Sequence, residues 1–386
     1  MIQVIKILFI YIIRIILLII YIIPINKRKV VFSSYNGKIF GCNPKYVFEY
    51  LINNYCINNF KIIWILKDKN MLPSEYKDVT IVKHFSFLFF FHLLTAGYII
   101  SNTPAKSYLP FRKKQIIVNT WHGGGAYKKI GLDTSIYIKN RISMEVTRKK
   151  TSEITKYVIT SCKLFTDICS RVWSMPKEKF LPIGMPRNDV FFGNSTLIKK
   201  KVMEYFDFEE KTKIVLYAPT FRGDFRKAQT MDISFDILNI IKSLKLRFNY
   251  DFQFLFRLHL SSPRYYIDET FIKSASDYPD MQELLCAADV LITDYSSSVW
   301  DFSFTYKPCF LYTPDLERYR EEQGFYTPIE DWPFPLAINN DQLVDNIINF
   351  DEKKYEYDVK KHHDDLGSYE NGTACKQLCH ILFFNS

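Results

Sequence analysis

The chain has 386 residues, 48% of them hydrophobic, and a formal net charge of +10. That apolar content excludes a disordered chain, and the length exceeds one ordinary core, so two domains are the default. The charge calls for an anionic partner. The cations are spread along the chain with no helix-turn-helix, zinc-finger or RNA-recognition signature, so membrane and phosphate ligands rank above nucleic acid, which is not expected as a partner.

At the amino terminus, "ILFIYIIRIILLIIYII" (7–23) lies between Lys6 and Pro24. As a helix it measures roughly 26 Å, borderline for a bilayer core of about 30 Å. Arg14 sits in its middle, where a charge is costly. No small-residue cleavage site follows, so a cleaved signal peptide is not expected. The reading is a membrane-attached helix over 1–28, lying in the interface or barely spanning with Arg14 snorkelling. The basic "NKRK" (26–29) would keep the body on the cytoplasmic side. A buried helix packed on the body is the alternative.

After Pro24, short apolar runs alternate with amphipathic segments. "KVVFSS" (29–34), "KIIWIL" (61–66), "GYIISN" (97–102), "QIIVNT" (115–120), "YVITS" (157–161) and "FLPIG" (180–184) read as buried strands, with helical patterns such as 43–55 and 162–173 between them. A polar, charged stretch spans 194–212. The alternation then restarts with "KIVLYAPT" (213–220), a helix near 232–245, "FQFLFRLH" (252–259), "DVLITDYS" (289–296) and "KPCFLYTP" (307–314). This is the pattern of parallel α/β sheets covered by helices on both faces. The expected architecture is two doubly wound, Rossmann-type domains, 29–205 and 206–386, facing a central cleft. Ligands of such sheets sit beyond the carboxyl ends of the strands.

Eight cysteines are scattered, with no C-x-x-C pair. Cys286 and Cys309 fall in apolar runs as small core residues. Cys375, Cys379 and His380 lack a fourth ligand, so no metal and no cofactor are expected, and reduced thiols in a cytosolic setting fit the pattern.

"NTWHGGGAYKKIG" (119–131) follows a strand directly, so Trp121 and His122 fall at its carboxyl edge. Gly123, Gly124 and Gly125 let the backbone approach a ligand closely, and Lys128 and Lys129 add charge. The ordinary alternative is a tight turn with a packed histidine. The second half supplies matching strand ends. "YAPTFRGD" (217–224) places Thr220 and Arg222 past a strand, and Arg222 can clamp phosphate oxygens in bidentate fashion. "FRLHL" (256–260) offers Arg257 and His259. "ITDYSSSVWDF" (292–302) carries Asp294, then Ser296, Ser297 and Ser298 at the start of an apolar helix with Asp301, an arrangement suited to an anion. Taken singly, each motif has an ordinary structural reading. Three on three strand ends of one domain are harder to dismiss.

In order, WHG (121–123), "GMPRND" (184–189, with Arg187), YAPT-x-R, R-x-H, TDYSS, a following "KP" and "GFY" resemble the CDP-glycerol glycerophosphotransferase family, whose enzymes build teichoic acids and related phosphate-containing capsules. "NPKYVFEYL" (43–51) is similar to that family's first helix, and the resemblance runs from about residue 30 to about 380. It implies a GT-B-like fold, peripheral membrane attachment, a CDP-glycerol or CDP-ribitol donor, and a lipid-linked or capsular polymer glycan acceptor. It makes His122 the general base and places His259 and Arg222 on the donor pyrophosphate, His259 counting with His122 among the catalytic groups. The TDYSS serines would hold a donor phosphate. Trp121, Gly123, Gly124, Arg187, Thr220, Arg257, Asp294 and Asp301 complete the expected binding set. Leu260 stands where the family usually has Pro, Phe221 often has Trp as counterpart, and Gly124 and Gly125 replace larger residues or Pro. The rivals are a GT-B nucleotide-sugar glycosyltransferase, which would release UDP or GDP, and a non-catalytic membrane-bound protein for anionic polymer, which would tolerate loss of both histidines.

Overall fold

The computed structural model describes residues 2–55, 59–134, 140–220, 235–257 and 272–384. The chain folds into two compact units. The first comprises Met1–Gly123, Ile130–Asp189 and Ser368–Ser386; the second comprises Gly124–Lys129 and Val190–Gly367.

The first unit is built on β1 (Asn26–Ser33), β2 (Lys61–Leu66), β3 (Thr80–Lys83), β4 (Ala96–Ser101), β5 (Ile116–Asn119), β6 (Tyr157–Ile159) and β7 (Phe180–Leu181). All pair in parallel, in the order β3-β2-β1-β4-β5-β6-β7. Continuous runs such as "KIIWIL" are apolar on both faces because helices cover both faces. Val30, Phe32, Trp64 and Ile100 point to one side and Val31, Ile63 and Ile99 to the other. The helix Cys42–Asn54 covers the first side together with the carboxyl-terminal helix Ala374–Phe383, which contributes Leu378, Cys379 and Leu382 to that core.

The second unit contains β8 (Lys213–Tyr217), β9 (Phe252–Phe256), β10 (Ile272–Ser274), β11 (Val290–Thr293), β12 (Cys309–Tyr312) and β13 (Leu336–Ala337), parallel in the order β10-β9-β8-β11-β12-β13. Both sheets thus follow the doubly wound order 3-2-1-4-5-6 along their first six strands. Each reverses direction once, between β1 and β4 and between β8 and β11, where such folds hold ligands.

The units part at Asp189/Val190, whereas the composition shift points to 205/206. The charged stretch forms the amphipathic helix Thr196–Phe206, whose Val202, Met203 and Phe206 are buried within the second unit. The last residues return to the first unit because the helix Ala374–Phe383 presents an apolar face that its core absorbs.

The amino-terminal segment Gln3–Ile22 is helical, and long and apolar enough to cross a membrane by length and composition. It lies along the first unit. Arg14 donates from Nη1 to the carbonyl oxygens of Ser107 (2.9 Å) and Leu109 (2.8 Å). Tyr21 donates its hydroxyl to Pro110 O at 2.5 Å, and the Arg112 guanidinium stands 4.9 Å over the Tyr21 ring. The Arg14 charge is therefore met by protein carbonyls. Ile10 and Ile20 pack inward, while Ile15, Ile16, Ile19 and Ile22 remain exposed.

Candidate active site

His122 follows the carboxyl end of β5 in the first unit. Its Nδ1 lies 2.9 Å from the main-chain oxygen of Asn102, just past the end of β4. A carbonyl can only accept, so Nδ1 carries the proton and Nε2 is the basic nitrogen of the neutral ring. Asn102 is completely buried, and its Oδ1 accepts from the Tyr35 N–H at 2.8 Å. The ring is flanked by Tyr35 and Trp121, with centroids 5.3 and 4.4 Å away.

The backbone around it is held as firmly. Trp121 adopts φ 51°, a left-handed conformation uncommon for a bulky residue. Its N–H donates to Asn119 Oδ1 at 3.0 Å. Asn43, at the start of helix Cys42–Asn54, donates from Nδ2 to the oxygens of Thr120 (2.9 Å) and Trp121 (3.0 Å). Arg187, only 4% exposed, donates from Nη1 to His122 O at 2.7 Å and to Cys42 Sγ at 3.3 Å. Asn43 Oδ1 in turn accepts the Arg187 N–H at 3.0 Å. Arg187 thus meets the histidine loop through its backbone. Asn43, Asn102 and Tyr35 are absent from the motif-based set. Asn43 opens the "NPKYVFEYL" helix, but nothing in the sequence shows that its amide spans to residues 120–121.

The "GMPRND" segment is secured from the carboxyl-terminal return. Glu370 accepts from Met185 N (2.9 Å) and Asn188 Nδ2 (3.0 Å), while Asp189 accepts from Ala374 N and Cys375 N at the start of the last helix.

The chain leaves the first unit after Gly123, and Gly124–Lys129 belongs to the second. There Lys128 bridges to Phe325, Lys129 N donates to Gly324 O (3.1 Å) and Tyr326 N to Tyr127 O (2.8 Å). "AYKK" and "GFY" are therefore bonded neighbours. A Cβ on Gly124 would stand 2.1 Å from Trp300 Cδ1, which is why no larger side chain fits beside that indole. Lys128 Nζ lies 5.9 Å from the Tyr319 ring centroid.

In the second unit the ends of β8 and β11 are joined by one carboxylate. Asp294 accepts from Thr220 N (2.8 Å) and Thr220 Oγ1 (2.6 Å) and is almost fully buried. Thr293 Oγ1 donates to Ala218 O at 2.7 Å. These contacts fix the YAPT and TDYSS turns against each other at the switch point of the sheet. Ser298 donates from N (3.3 Å) and Oγ (2.9 Å) to Ser296 Oγ, and Ser297 precedes the short helix Ser298–Ser303. Asp301 lies buried within that helix and accepts from Gln282 Nε2 at 3.0 Å. Arg257 turns inward and donates to the oxygens of Ala275 and Tyr278. Arg222 and His259, with Phe221 and Leu260, lie outside the described residues.

Two α/β units with parallel sheets of doubly wound order define a GT-B-like protein. The model of the CDP-Glycerol:Poly(glycerophosphate) glycerophosphotransferase family matches residues 15–384, and the chain belongs to that family of phosphotransferase enzymes. It is 29% identical over 372 residues to a teichoic acid poly(glycerol phosphate) polymerase of Bacillus spizizenii, covering 94% of each chain. It is 29% identical over 368 residues to a teichoic acid glycerol-phosphate transferase of Staphylococcus aureus, covering 93% of each. The solved structure of the wall teichoic acid polymerase TagF superposes with a TM-score of 0.81 at 26% identity, covering 93% of this chain and 89% of that one.

Proposed function

We propose that this enzyme transfers glycerol phosphate from CDP-glycerol to a hydroxyl of a lipid-linked or capsular glycan acceptor, at the cytoplasmic face of the membrane, in teichoic acid or capsular polymer synthesis. The acceptor oxygen forms a bond to the phosphorus bearing the glycerol. The bond from that phosphorus to the bridging oxygen breaks, and CMP leaves with its electron pair. The acceptor proton passes to His122 Nε2. Glycerol is put before ribitol because the family description and both relatives name glycerol phosphate.

The observation that carries this reading is the 2.9 Å contact of His122 Nδ1 with Asn102 O, which leaves Nε2 as the base. Arg187 acts as a positioning residue through the His122 carbonyl. On the donor side, which we assign to the second unit, Asp294 and Thr220 set the turns from which Ser296, Ser297 and Ser298 meet a donor phosphate. Arg222 and His259 are assigned to the pyrophosphate on the family pattern. Charge spreads over phosphoryl oxygens in the transition state, so positioning and cationic stabilisation supply most of the catalysis.

The experiment is nucleotide release by purified protein with membranes, offered CDP-glycerol, CDP-ribitol and UDP-sugars separately. CMP formed from CDP-glycerol supports the reading. CMP from CDP-ribitol alone changes the polyol, and UDP release overturns the chemistry.

A further inference from the structure

The loop that follows β1 carries more strain than its turn requires. Tyr35, Asn36 and Gly37 have φ of 47°, 59° and 80°, left-handed residues in direct succession. Glycine is needed at position 37, where a Cβ would stand 3.1 Å from Ile65 O. Tyr35 and Asn36 hold the same conformation at a cost that glycine would not bear, greatest for the bulky tyrosine. Their side chains must therefore be wanted there. That of Tyr35 is accounted for, because its ring packs on His122 with centroids 5.3 Å apart. Asn36 is left to explain. Its Oδ1 accepts from Thr103 Oγ1 at 3.2 Å. Thr103 is itself fixed by Ser101: its N–H donates to Ser101 Oγ at 3.2 Å, and the two hydroxyls are 3.1 Å apart. With Oδ1 so engaged, Nδ2 projects from the opposite edge of the planar amide. It has no hydrogen-bond partner among the described residues, and Asn36 is only half-buried.

The surroundings place this amide beside the proposed base. Tyr35–Asn36 and Asn102–Thr103 are matched pair to pair: Tyr35 N donates to Asn102 Oδ1 at 2.8 Å, and Thr103 Oγ1 donates to Asn36 Oδ1. Both members of the first rung touch the His122 ring, Asn102 through its main-chain oxygen and Tyr35 through its own ring. The second rung lies one residue further along each segment, a Cα step of about 3.8 Å. The groups that meet there, from Asn36, Ser101 and Thr103, are neutral amides and hydroxyls. Such a set suits a neutral hydroxyl better than a phosphate, which calls for a cation.

We propose that Asn36 is an acceptor-binding residue, whose Nδ2 donates to the hydroxyl on the carbon next to the reacting one, so that the enzyme selects an acceptor ending in a 1,2-diol. The reacting hydroxyl meets His122 and its neighbour meets Asn36. A terminal glycerol and a sugar ring both present such a diol. This rests on the transfer reaction above for the role of His122; recognition of the diol is read separately, by binding.

The test is a calorimetric titration of the full chain with two diol-ended probes, 1-O-octylglycerol and octyl β-glucoside. Each is compared with its analogue lacking one diol hydroxyl, 3-octyloxypropan-1-ol and the 3-deoxyglucoside. At least one probe is expected to bind saturably and about three- to tenfold more tightly than its analogue, the scale of one neutral hydrogen bond. Which probe binds shows whether the diol belongs to a glycerol or a sugar. Asn36→Gly keeps the left-handed backbone and removes the amide, so it is expected to bind probe and analogue alike. Binding of neither probe, or the same preference in Asn36→Gly as in the unsubstituted chain, overturns the proposal. Should Asn36→Gly not fold, Thr103→Val, which releases the amide, decides in the same comparison: a narrowed preference is expected and an unchanged one overturns it. Nucleotide release plays no part in this titration, so failure of the transfer reading, seen as no CMP from any donor, is distinguishable from failure of this one.

Discussion

His122 Nδ1 and the main-chain oxygen of Asn102 are 2.9 Å apart, and the Asn102 side chain is itself held by the Tyr35 N–H. Asn102→Ala keeps the carbonyl but removes its support and leaves a buried donor unmet. A stability loss of about 1–3 kcal/mol is expected, with kcat falling while the donor KM holds. Denaturant unfolding and steady-state kinetics check both. An unchanged kcat would show that the ring is oriented by other contacts.

Arg187→Lys retains the charge but loses the planar fork that reaches both His122 O and Cys42 Sγ. Because the arginine holds the backbone of the proposed base, kcat is expected to fall by up to about 10²-fold, the scale of a 1 Å misplacement. The donor KM stays near its original value. A raised donor KM with intact kcat would instead mean direct donor contact.

Gly124→Ala drives a methyl group into Trp300. Overpacking of this kind costs about 1–3 kcal/mol, read as a lower denaturation midpoint of the second unit. A midpoint equal to that of the unsubstituted chain would mean that Gly124 does not sit against the indole.

These sites show what the sequence reveals and what it hides. "KIIWIL" matches β2 residue for residue, and every other strand read from the sequence coincides with an observed one, because a buried parallel strand is a continuous apolar run between turn signals. The strands Thr80–Lys83, Ile272–Ser274 and Leu336–Ala337 escape that reading. All three are edge strands of two to four residues and carry too little pattern. The position of His122 at a strand end was legible for the same reason that β5 was. Asn102, which bonds its ring, and Asn43 and Tyr35, which hold the neighbouring backbone and Asn102, were not, since hydrogen bonds across 20 to 78 residues leave no local spacing. Glu370 and Asp189 are hidden likewise, as their contacts depend on the carboxyl-terminal helix returning to the first unit.

Acid sensitivity is expected from two adjacent histidines in the second unit. His363 bonds Ser303 Oγ at 2.6 Å and His362 bonds the Tyr127 hydroxyl at 3.1 Å. Burial lowers both from 6.5 to about 4. The unfolded chain therefore binds more protons than the folded one between about pH 6.5 and 4, and stability falls as pH falls through that window. The slope approaches about 1.4 kcal/mol per pH unit for each histidine. Unfolding free energies measured across this range check it, and His363→Gln should flatten the slope. A stability that rises on acidification would contradict the assignment.

The most direct test of the account is single-turnover CMP release from CDP-glycerol, with a lipid-linked acceptor, by the unsubstituted enzyme and by His122→Ala. The expected result is a variant with an unchanged melting temperature and a rate lower by about 10²–10⁴-fold, the usual contribution of one general base. A variant that folds and releases CMP at the original rate would contradict the role of His122 and, with it, the mechanism proposed for this site.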